Sequence, residues 1–223
     1  HPYQTVDKAM EILQETDEKP WVLRLSIDSP HTPVLPPEPF ASMYKEEVSG
    51  WEPNYEEIGQ RMKIHKDWIE YRGFDQLTVE DLRKVRSSYY GLTSYVDQEI
   101  GRLESFIKEN GYDDNLITIF IADHGSSIGD HLTQVKGSYD TDDIAHVPFI
   151  IRYPEKVKAG VYEGLTQTID VLPTLAELIG EDVPEKVSGK SLCPALQGSD
   201  VVINQAIFSE GIFPPMHKGL RET

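Results

Sequence analysis

The sequence predicts an α/β fold, with a mainly parallel or mixed sheet and helices on both of its faces. Short apolar runs of strand length alternate along the chain with segments of helical periodicity, an arrangement typical of strands joined by helical crossovers. Hydrophobic residues make up 39% and charged residues 26% of the 223 residues. This composition is ordinary for a globular domain that buries a core.

The first third of the chain predicts one helix, one strand and a long excursion. Residues 5–15 carry apolar side chains at helical spacing behind Thr5, a suitable N-cap, and predict an amphipathic helix. Residues 21–27 (WVLRLSI) predict a strand that ends in the proline-bounded loop 28–33. Residues 34–75 are rich in proline and aromatic residues and predict an irregular excursion with one or two short helices. Long loops of this kind often shape a functional site.

The remaining elements follow a long helix. From Thr78 the pattern is helical for about thirty residues, with Thr78 and Asp81 as a capping signal and Asn110-Gly111 as a stop. The elements predicted after it are strands at 117–122 and 147–153, a helix at 166–179 that ends at Gly180, and a last strand at 206–209.

The charge and the cysteine content exclude several classes of function. The net charge is −17, and because nucleic-acid binding needs clustered lysine and arginine, no nucleic-acid partner is expected. No apolar run approaches the roughly 18–20 residues of a membrane span, so no membrane partner is expected. Asp142-Asp143 is interpreted as a solvated face or a turn. The single cysteine, Cys193, excludes an intrachain disulfide and is interpreted as a packed apolar residue.

The most informative stretch is residues 116–136. An apolar run leads directly into Asp123-His124-Gly125, at the strand end where open α/β sheets bind ligands. Consecutive strand side chains point to opposite faces, so Asp123 and His124 can bind one cation only if the strand has ended, which Gly125 allows. An Asp oxygen with a His nitrogen favours Mn²⁺ or Zn²⁺ over Ca²⁺ or Mg²⁺. A purely structural turn is the alternative interpretation.

Two further residues are candidates for binding an anion. Lys136 follows Asp123 by thirteen positions and could neutralise a tetrahedral oxyanion such as sulfate or phosphate, or be an ordinary exposed lysine. His31 lies in the proline-bounded loop after a predicted strand. It could donate a hydrogen bond to a substrate oxygen or protonate a leaving group, or be structural. Asp130 and His131 are weaker candidates for a functional role than these residues.

Taken in order, several motifs make the chain similar to the sulfatase family of the alkaline-phosphatase-like superfamily. The resemblance covers roughly residues 5–200 and implies a partial catalytic domain at 1–200, with the start of an incomplete small C-terminal subdomain at 201–223. The motifs that carry it are WVLRLSIDSPHTP, YYGLTSYVDQEIGRL, LITIFIADHGSSIGDH, VKGSYD, HVPFIIRYP, QTIDVLPTLAELIGEDVP and GKSLCPALQG.

The resemblance implies a role for each matching residue. Asp123 and His124 match half of the metal ligands, and His31 and Lys136 match substrate-binding residues that take part in catalysis. The metal implied by the family is a divalent cation, Ca²⁺ first, with Mn²⁺, Mg²⁺ and Zn²⁺ as alternatives. The implied substrate is a small-molecule sulfate ester, hydrolysed through a formylglycine nucleophile. Asp170 matches a position that builds the fold.

One departure from the family pattern limits what the chain can do alone. The family has a first strand that ends in metal-binding aspartates, followed by a Cys/Ser-x-Pro-Ser-Arg motif that supplies the nucleophile, and this sequence contains neither. Cys193-Pro194 continues as Ala-Leu-Gln. We therefore expect a chain truncated at both ends, inactive by itself and prone to self-association through the sheet edges that truncation exposes.

Two other functions stay open at this point. A phosphonate monoester or phosphodiester hydrolase of the same superfamily carries the same Asp-His pair, so Asp123 and His124 do not decide between the two reactions. A non-catalytic binding module with the same fold is the third interpretation. The substrate itself is not named by the composition of residues 34–75, where specificity is expected to lie.

Overall fold

A computed structural model describes residues 1–16, 20–56, 63–132, 134–135 and 141–208, apart from the side chains of Ile64, Gln134 and Val135. The helices that lie wholly within these residues are α1 (Pro2–Gln14), α2 (Lys63–Arg72), α3 (Val79–Glu109), α4 (Asp142–Ala145), α5 (Val171–Ile179) and α6 (Cys193–Leu196). The strands are β1 (Thr118–Ile121), β2 (Ser127–Ile128), β3 (Gln134–Val135) and β4 (Phe149–Arg152).

The chain divides into two compact units. The first unit is formed by His1–Gly111 with Ser126–Gly137, and the second by Tyr112–Gly125 with Ser138–Thr223. The first therefore holds α1, α2, α3, β2 and β3, and the second holds the other elements. The domain boundary expected near residue 200 stays a prediction.

In the first unit the long helix α3 is the main support. Thr78 caps it as predicted, because its Oγ accepts a hydrogen bond from the Asp81 amide at 3.1 Å. The Asp81 carboxylate accepts one from the Thr78 amide at 3.1 Å in return, and hydrogen bonds from Thr78 lower the pKa of Asp81. Burial of Val6, Ala9 and Leu13 shows that α1 uses its predicted apolar face. The helix α1 begins at Pro2, however, so the prediction of Thr5 as its N-cap is wrong.

The excursion at 34–75 contains the short helix α2, as expected, and its first part packs against α3. Phe40 forms a buried cluster with Leu92 and Tyr95. A Cβ on Gly91 would lie 2.2 Å from the carbonyl oxygen of Phe40. A glycine is therefore required where this part of the loop crosses the helix.

In the second unit β1 and β4 confirm two predicted strands, and they pair in antiparallel fashion. Thr118 lies opposite Arg152, and Ile121 lies opposite Phe149. The other ladder of the described residues, β2 with β3, is also antiparallel, so the predicted parallel pairings are not found among them. Apolar composition identifies a strand but does not fix its direction, because direction depends on the connection.

Two predicted strands form no ladder in the described part of the chain. Side chains of residues 21–27 alternate between half-buried and exposed. This segment therefore shows the two-residue periodicity of a strand, although no other described strand pairs with it. Residues 206–208 are irregular, and the nearest pairing is an isolated bridge between Leu165 and Asn204. The last position of that predicted strand, Ser209, lies outside the described residues.

Asp170 is the polar centre of the second unit. It is fully buried directly before α5. Its carboxylate accepts hydrogen bonds from the Gln167 amide at 2.9 Å, the Lys190 amide at 2.8 Å and Asn204 Nδ2 at 2.9 Å. One side chain thus ties α5 to two later segments of the chain. This geometry agrees with the structural role that the resemblance implies for Asp170.

Cys193 belongs to the apolar core of the second unit. It is 2% exposed and packs in one cluster with Tyr153 and Leu178. Burial raises the pKa of the Cys193 thiol, and its Sγ donates to the carbonyl of Thr174 at 3.7 Å. The interpretation of Cys193 as a packed residue is confirmed. Among the described residues no helix has both the length and the apolar character needed to cross a membrane.

Replacing Asp170 by alanine is expected to lower the free energy of unfolding by about 3 kcal/mol, because three donors lose the fully buried carboxylate that accepts their hydrogen bonds. Urea unfolding followed by circular dichroism measures the change. Asp182→Ala, at an exposed acidic residue of the same unit, is the control and should leave the unfolding midpoint unchanged. Equal midpoints for the two variants would contradict the role of Asp170.

Cys193 is expected to be unreactive in the folded protein. Its raised pKa leaves less thiolate at a given pH, and its burial blocks access. At pH 8, Ellman's reagent should modify the folded chain at under about a tenth of the rate measured in urea. A similar rate in both conditions would show that Cys193 is accessible.

Candidate active site

The structure places Asp123 and His124 together immediately beyond β1. Asp123 is exposed, and its Oδ1 accepts a hydrogen bond from the His124 amide at 2.9 Å. The other carboxylate oxygen, Oδ2, lies 3.7 Å from His124 Nε2. Since β1 ends at Ile121, the two side chains are no longer forced to opposite faces of a sheet. The predicted reason for their proximity is therefore confirmed by the geometry.

The environment of Nδ1, the second ring nitrogen of His124, determines which tautomer the neutral ring adopts. Nδ1 lies 2.7 Å from the carbonyl oxygen of Gly125, and because a carbonyl can only accept, Nδ1 carries the hydrogen. In the neutral ring Nε2 then carries the lone pair on the side of Asp123. A backbone carbonyl that holds the remote nitrogen is the usual support of a metal-binding histidine. Asp123 and His124 thus present one oxygen and one nitrogen donor.

The donor set of Asp123 and His124 fits part of a cation site. A separation of 3.7 Å is one that two neighbouring ligands of a single ion can span, since Ca²⁺ ligands lie about 2.3–2.6 Å from the metal. A complete site needs further ligands. Within the described residues no group of three or more His, Cys, Asp or Glu side chains is positioned to hold an ion.

Gly125 is required by a close contact with α4. Its amide donates to the carbonyl of Ile144 at 2.7 Å, and a Cβ at this position would lie 2.0 Å from the carbonyl oxygen of Asp143. Any side chain would push the turn away from α4. The sequence predicted that Gly125 permits a turn. The structure shows that the close contact with α4 requires a residue without a side chain at this position.

Asp143 is a feature that the sequence did not reveal. Asp142 is exposed at the start of α4, but both carboxylate oxygens of Asp143 are buried. The interpretation of the Asp142-Asp143 pair as solvated is therefore wrong for Asp143. Two adjacent acidic residues look alike in a sequence, and only the packing of α4 behind Gly125 distinguishes them.

His31 and the Asp123–His124 pair belong to different units. His31 belongs to the first unit, is exposed, and lies in a turn in which its amide donates to the Asp28 carbonyl at 3.0 Å. Its Nδ1 is 2.9 Å from the carbonyl of Thr32. Lys136 lies outside the described residues. A common site for the four residues stays a prediction.

Asp130 has a structural partner. Its carboxylate forms an ion pair with Arg86 of α3, and its rank below the other candidates stays a prediction. Forty-four positions separate the two residues, so no local motif could have joined them.

Comparisons with known proteins agree with the motifs. The family model described as Sulfatase matches residues 3–181. The multifunctional alkaline phosphatase superfamily protein PehA of Trinickia caryophylli is 31% identical over 206 residues, which cover 85% of this chain and 40% of that protein. An arylsulfatase of Clostridium perfringens is 30% identical over 204 residues, covering 84% of this chain and 40% of that enzyme.

Solved structures share the fold. The phosphonate monoester hydrolase of Silicibacter pomeroyi superposes with a TM-score of 0.75 at 28% identity, covering 87% of this chain and 41% of that chain. The α/β class is therefore confirmed, and the chain spans about two fifths of the length of these relatives. Because the family model matches most of its residues, the chain belongs to the sulfatase family of the alkaline-phosphatase-like superfamily.

Proposed function

We propose that this chain supplies a metal-binding and anion-binding part of a sulfuric ester hydrolase. The observation that carries the proposal is the Asp123–His124 pair beyond β1, with Nδ1 of His124 held by a backbone carbonyl. Membership of the sulfatase family gives the pair its chemical context. The substrate in this proposal is a small-molecule sulfate ester.

Asp123 and His124 are proposed as two ligands of a divalent cation. Sulfatases are generally metal-dependent, and the bound cation supplies Lewis-acid and electrostatic stabilisation of oxyanions. Ca²⁺ is the first choice from the family, and Mn²⁺, Mg²⁺ and Zn²⁺ are the alternatives that the mixed nitrogen and oxygen donors permit. The proposal assigns the remaining ligands to residues outside the described part of the chain.

Lys136 and His31 are proposed to act on the sulfate group. Lys136 carries a positive charge that balances part of the negative charge of the ester. His31 has Nδ1 directed at the Thr32 carbonyl, so Nε2 can donate a hydrogen bond to the substrate only when the ring is doubly protonated. In that form His31 can also protonate the departing alcohol.

A phosphonate monoester or phosphodiester hydrolase is the second candidate function. A specific observation favours it, since phosphonate monoester hydrolases of Silicibacter pomeroyi and Agrobacterium radiobacter superpose with TM-scores of 0.75 and 0.74 at 28% identity. Sulfate and phosphonate esters share a tetrahedral anionic centre, so the same ligand pair suits both substrates.

The proposal is tested with 4-nitrophenyl sulfate and 4-nitrophenyl phenylphosphonate, which release the same product. In a protein that joins this chain to the nucleophile region, we expect faster turnover of the sulfate ester. Asp123→Asn and Lys136→Ala should each lower kcat/KM at least about 100-fold, because each removes charge stabilisation of the reacting oxygens. Asp182→Asn, at an exposed residue of the second unit, is the control.

Three outcomes would contradict the proposal in distinct ways. Faster turnover of the phosphonate ester would favour the second candidate function. Turnover of neither ester would favour a non-catalytic module. Metal-dependent turnover by this chain alone would contradict the expectation that it is inactive without a Cys/Ser-x-Pro-Ser-Arg motif.

The chain is also expected to self-associate through the sheet of its second unit. Among the described residues β1 and β4 pair only with each other, and Phe120 and Ile150 lie opposite one another with 39% and 59% of their surfaces exposed. Unpaired edges and an apolar sheet face favour pairing with another copy. Sedimentation velocity should show concentration-dependent association that Ile150→Lys weakens and Leu35→Lys, at an exposed residue of the first unit, does not. A monomer at all concentrations would contradict this expectation.

A further inference from the structure

Arg86 is a buried cation at the centre of the first unit. It is 8% exposed on α3, and it makes three different interactions. Its guanidinium carbon lies 4.1 Å from the centre of the Trp51 ring, Nη1 donates to Tyr90 Oη at 2.6 Å, and Nη2 forms the ion pair with Asp130. A buried arginine costs free energy unless it is paired, so the ion pair and the ring contacts together hold this side chain in place.

Trp51 is itself fixed from two sides. Its carbonyl oxygen accepts a hydrogen bond from Arg83 Nε at 2.8 Å. Its ring lies against Gly129, where a Cβ would come within 2.9 Å of Trp51 Cη2, and Gly129 has a φ of +105°, which favours glycine. Arg86 and Trp51 therefore hold the adjacent residues Gly129 and Asp130 together.

These residues belong to the hairpin formed by β2 and β3. Ser127 and Ile128 are buried, and they pair with Val135 and Gln134. A ladder of two residue pairs is too short to be stable or to fix its own register. Interactions outside the ladder must hold it, and the described structure supplies the Arg86–Asp130 ion pair and the packing of Leu132 against the buried cluster of Ile69 and Phe74.

In the sequence this hairpin lies between residues that are proposed to bind the metal and the substrate. It begins two residues after Gly125, and Val135 directly precedes Lys136. The hairpin thus connects the proposed metal ligands to the proposed anion-binding lysine. An error in its register would be passed to the residues that follow.

We propose that Arg86 is a positioning residue for sulfate binding, acting through Asp130 to fix the register of the β2–β3 hairpin that leads to Lys136. The proposal rests on the proposed function of Lys136. Arg86 itself would not touch the substrate. Its role is to hold the hairpin, as far as Val135, through Asp130, with the Trp51 ring against the guanidinium.

Hydrogen–deuterium exchange of this 223-residue chain tests the structural half of the proposal. Arg86→Met keeps much of the side-chain volume but removes the charge and the donors. We expect it to speed the exchange of the amides at 127–135 at least about tenfold, because the ion pair no longer opposes local opening. The matched control is Arg102→Met, which breaks ion pairs to Asp7 and Glu99 from the same helix and should leave the hairpin unchanged.

Steady-state kinetics tests the functional half in the protein that includes the nucleophile region. With Arg86→Met, the KM of the sulfate ester and the inhibition constant of inorganic sulfate should rise together about tenfold while kcat changes little, the pattern of a lost binding interaction. Asp130→Asn should reproduce the effect, and the double variant should be no worse than either single one. Asp130→Asn also serves if Arg86→Met fails to fold.

The outcomes separate this proposal from the one on which it rests. If Arg86→Met and Asp130→Asn match Arg102→Met in both exchange and KM, the positioning role is overturned while a loss in Lys136→Ala still supports the proposed function. If Lys136→Ala leaves KM and sulfate inhibition unchanged, the proposed role of Lys136 fails, and the functional half of this proposal fails with it. Faster exchange without a change in KM would leave Arg86 purely structural and would overturn the proposal.

Discussion

The candidate site depends on the close approach of Gly125 to α4. The Gly125 amide donates to the Ile144 carbonyl at 2.7 Å, and there is no room for a Cβ beside Asp143, so the turn after β1 is held against α4. That turn brings the Gly125 carbonyl to Nδ1 of His124 and leaves Nε2 facing Asp123. A contact between two pieces of backbone therefore determines which nitrogen of an imidazole can bind a metal. Geometry at the site is set by packing and not by the two ligand side chains themselves.

The two units use buried polar groups in the same way. In the second unit the Asp170 carboxylate satisfies donors from three segments, and in the first unit Arg86 joins α3, Trp51 and Asp130. An apolar cluster tolerates small shifts of its members, whereas a buried charge is stable only when specific partners are in place. Each group therefore fixes segments that have little regular structure of their own. Such segments carry the proposed site residues of this chain.

The sequence predicted the local features well and the long-range ones poorly. The Thr78–Asp81 cap, the stop after α5 at Gly180 and the apolar runs of β1 and β4 depend on neighbouring residues, and the structure has all of them. The proximity of Asp123 and His124 followed from one strand end. Three features depend on residues far apart in the chain: the direction of the strands, the lack of a described partner for residues 21–27, and the Arg86–Asp130 pair. A single sequence carries no signal for such pairings, and the β2–β3 hairpin was missed because two-residue strands have no periodicity.

The net charge of −17 bears on the proposed binding of an anionic ester. Charges more than about 8 Å apart are largely screened at physiological ionic strength, so the acidic surface as a whole repels the substrate only weakly. The carboxylate of Asp123 would stand next to the sulfate group and would not be screened. In the proposed site a divalent cation held by Asp123 and His124 would reverse the sign of the potential at that point, and Lys136 would add a second positive charge. Under this proposal, the affinity of an acidic protein for a sulfate ester would depend on where those two charges lie. Arg86, as the proposed positioning residue, would act on one of them through the β2–β3 hairpin without adding a charge to the site.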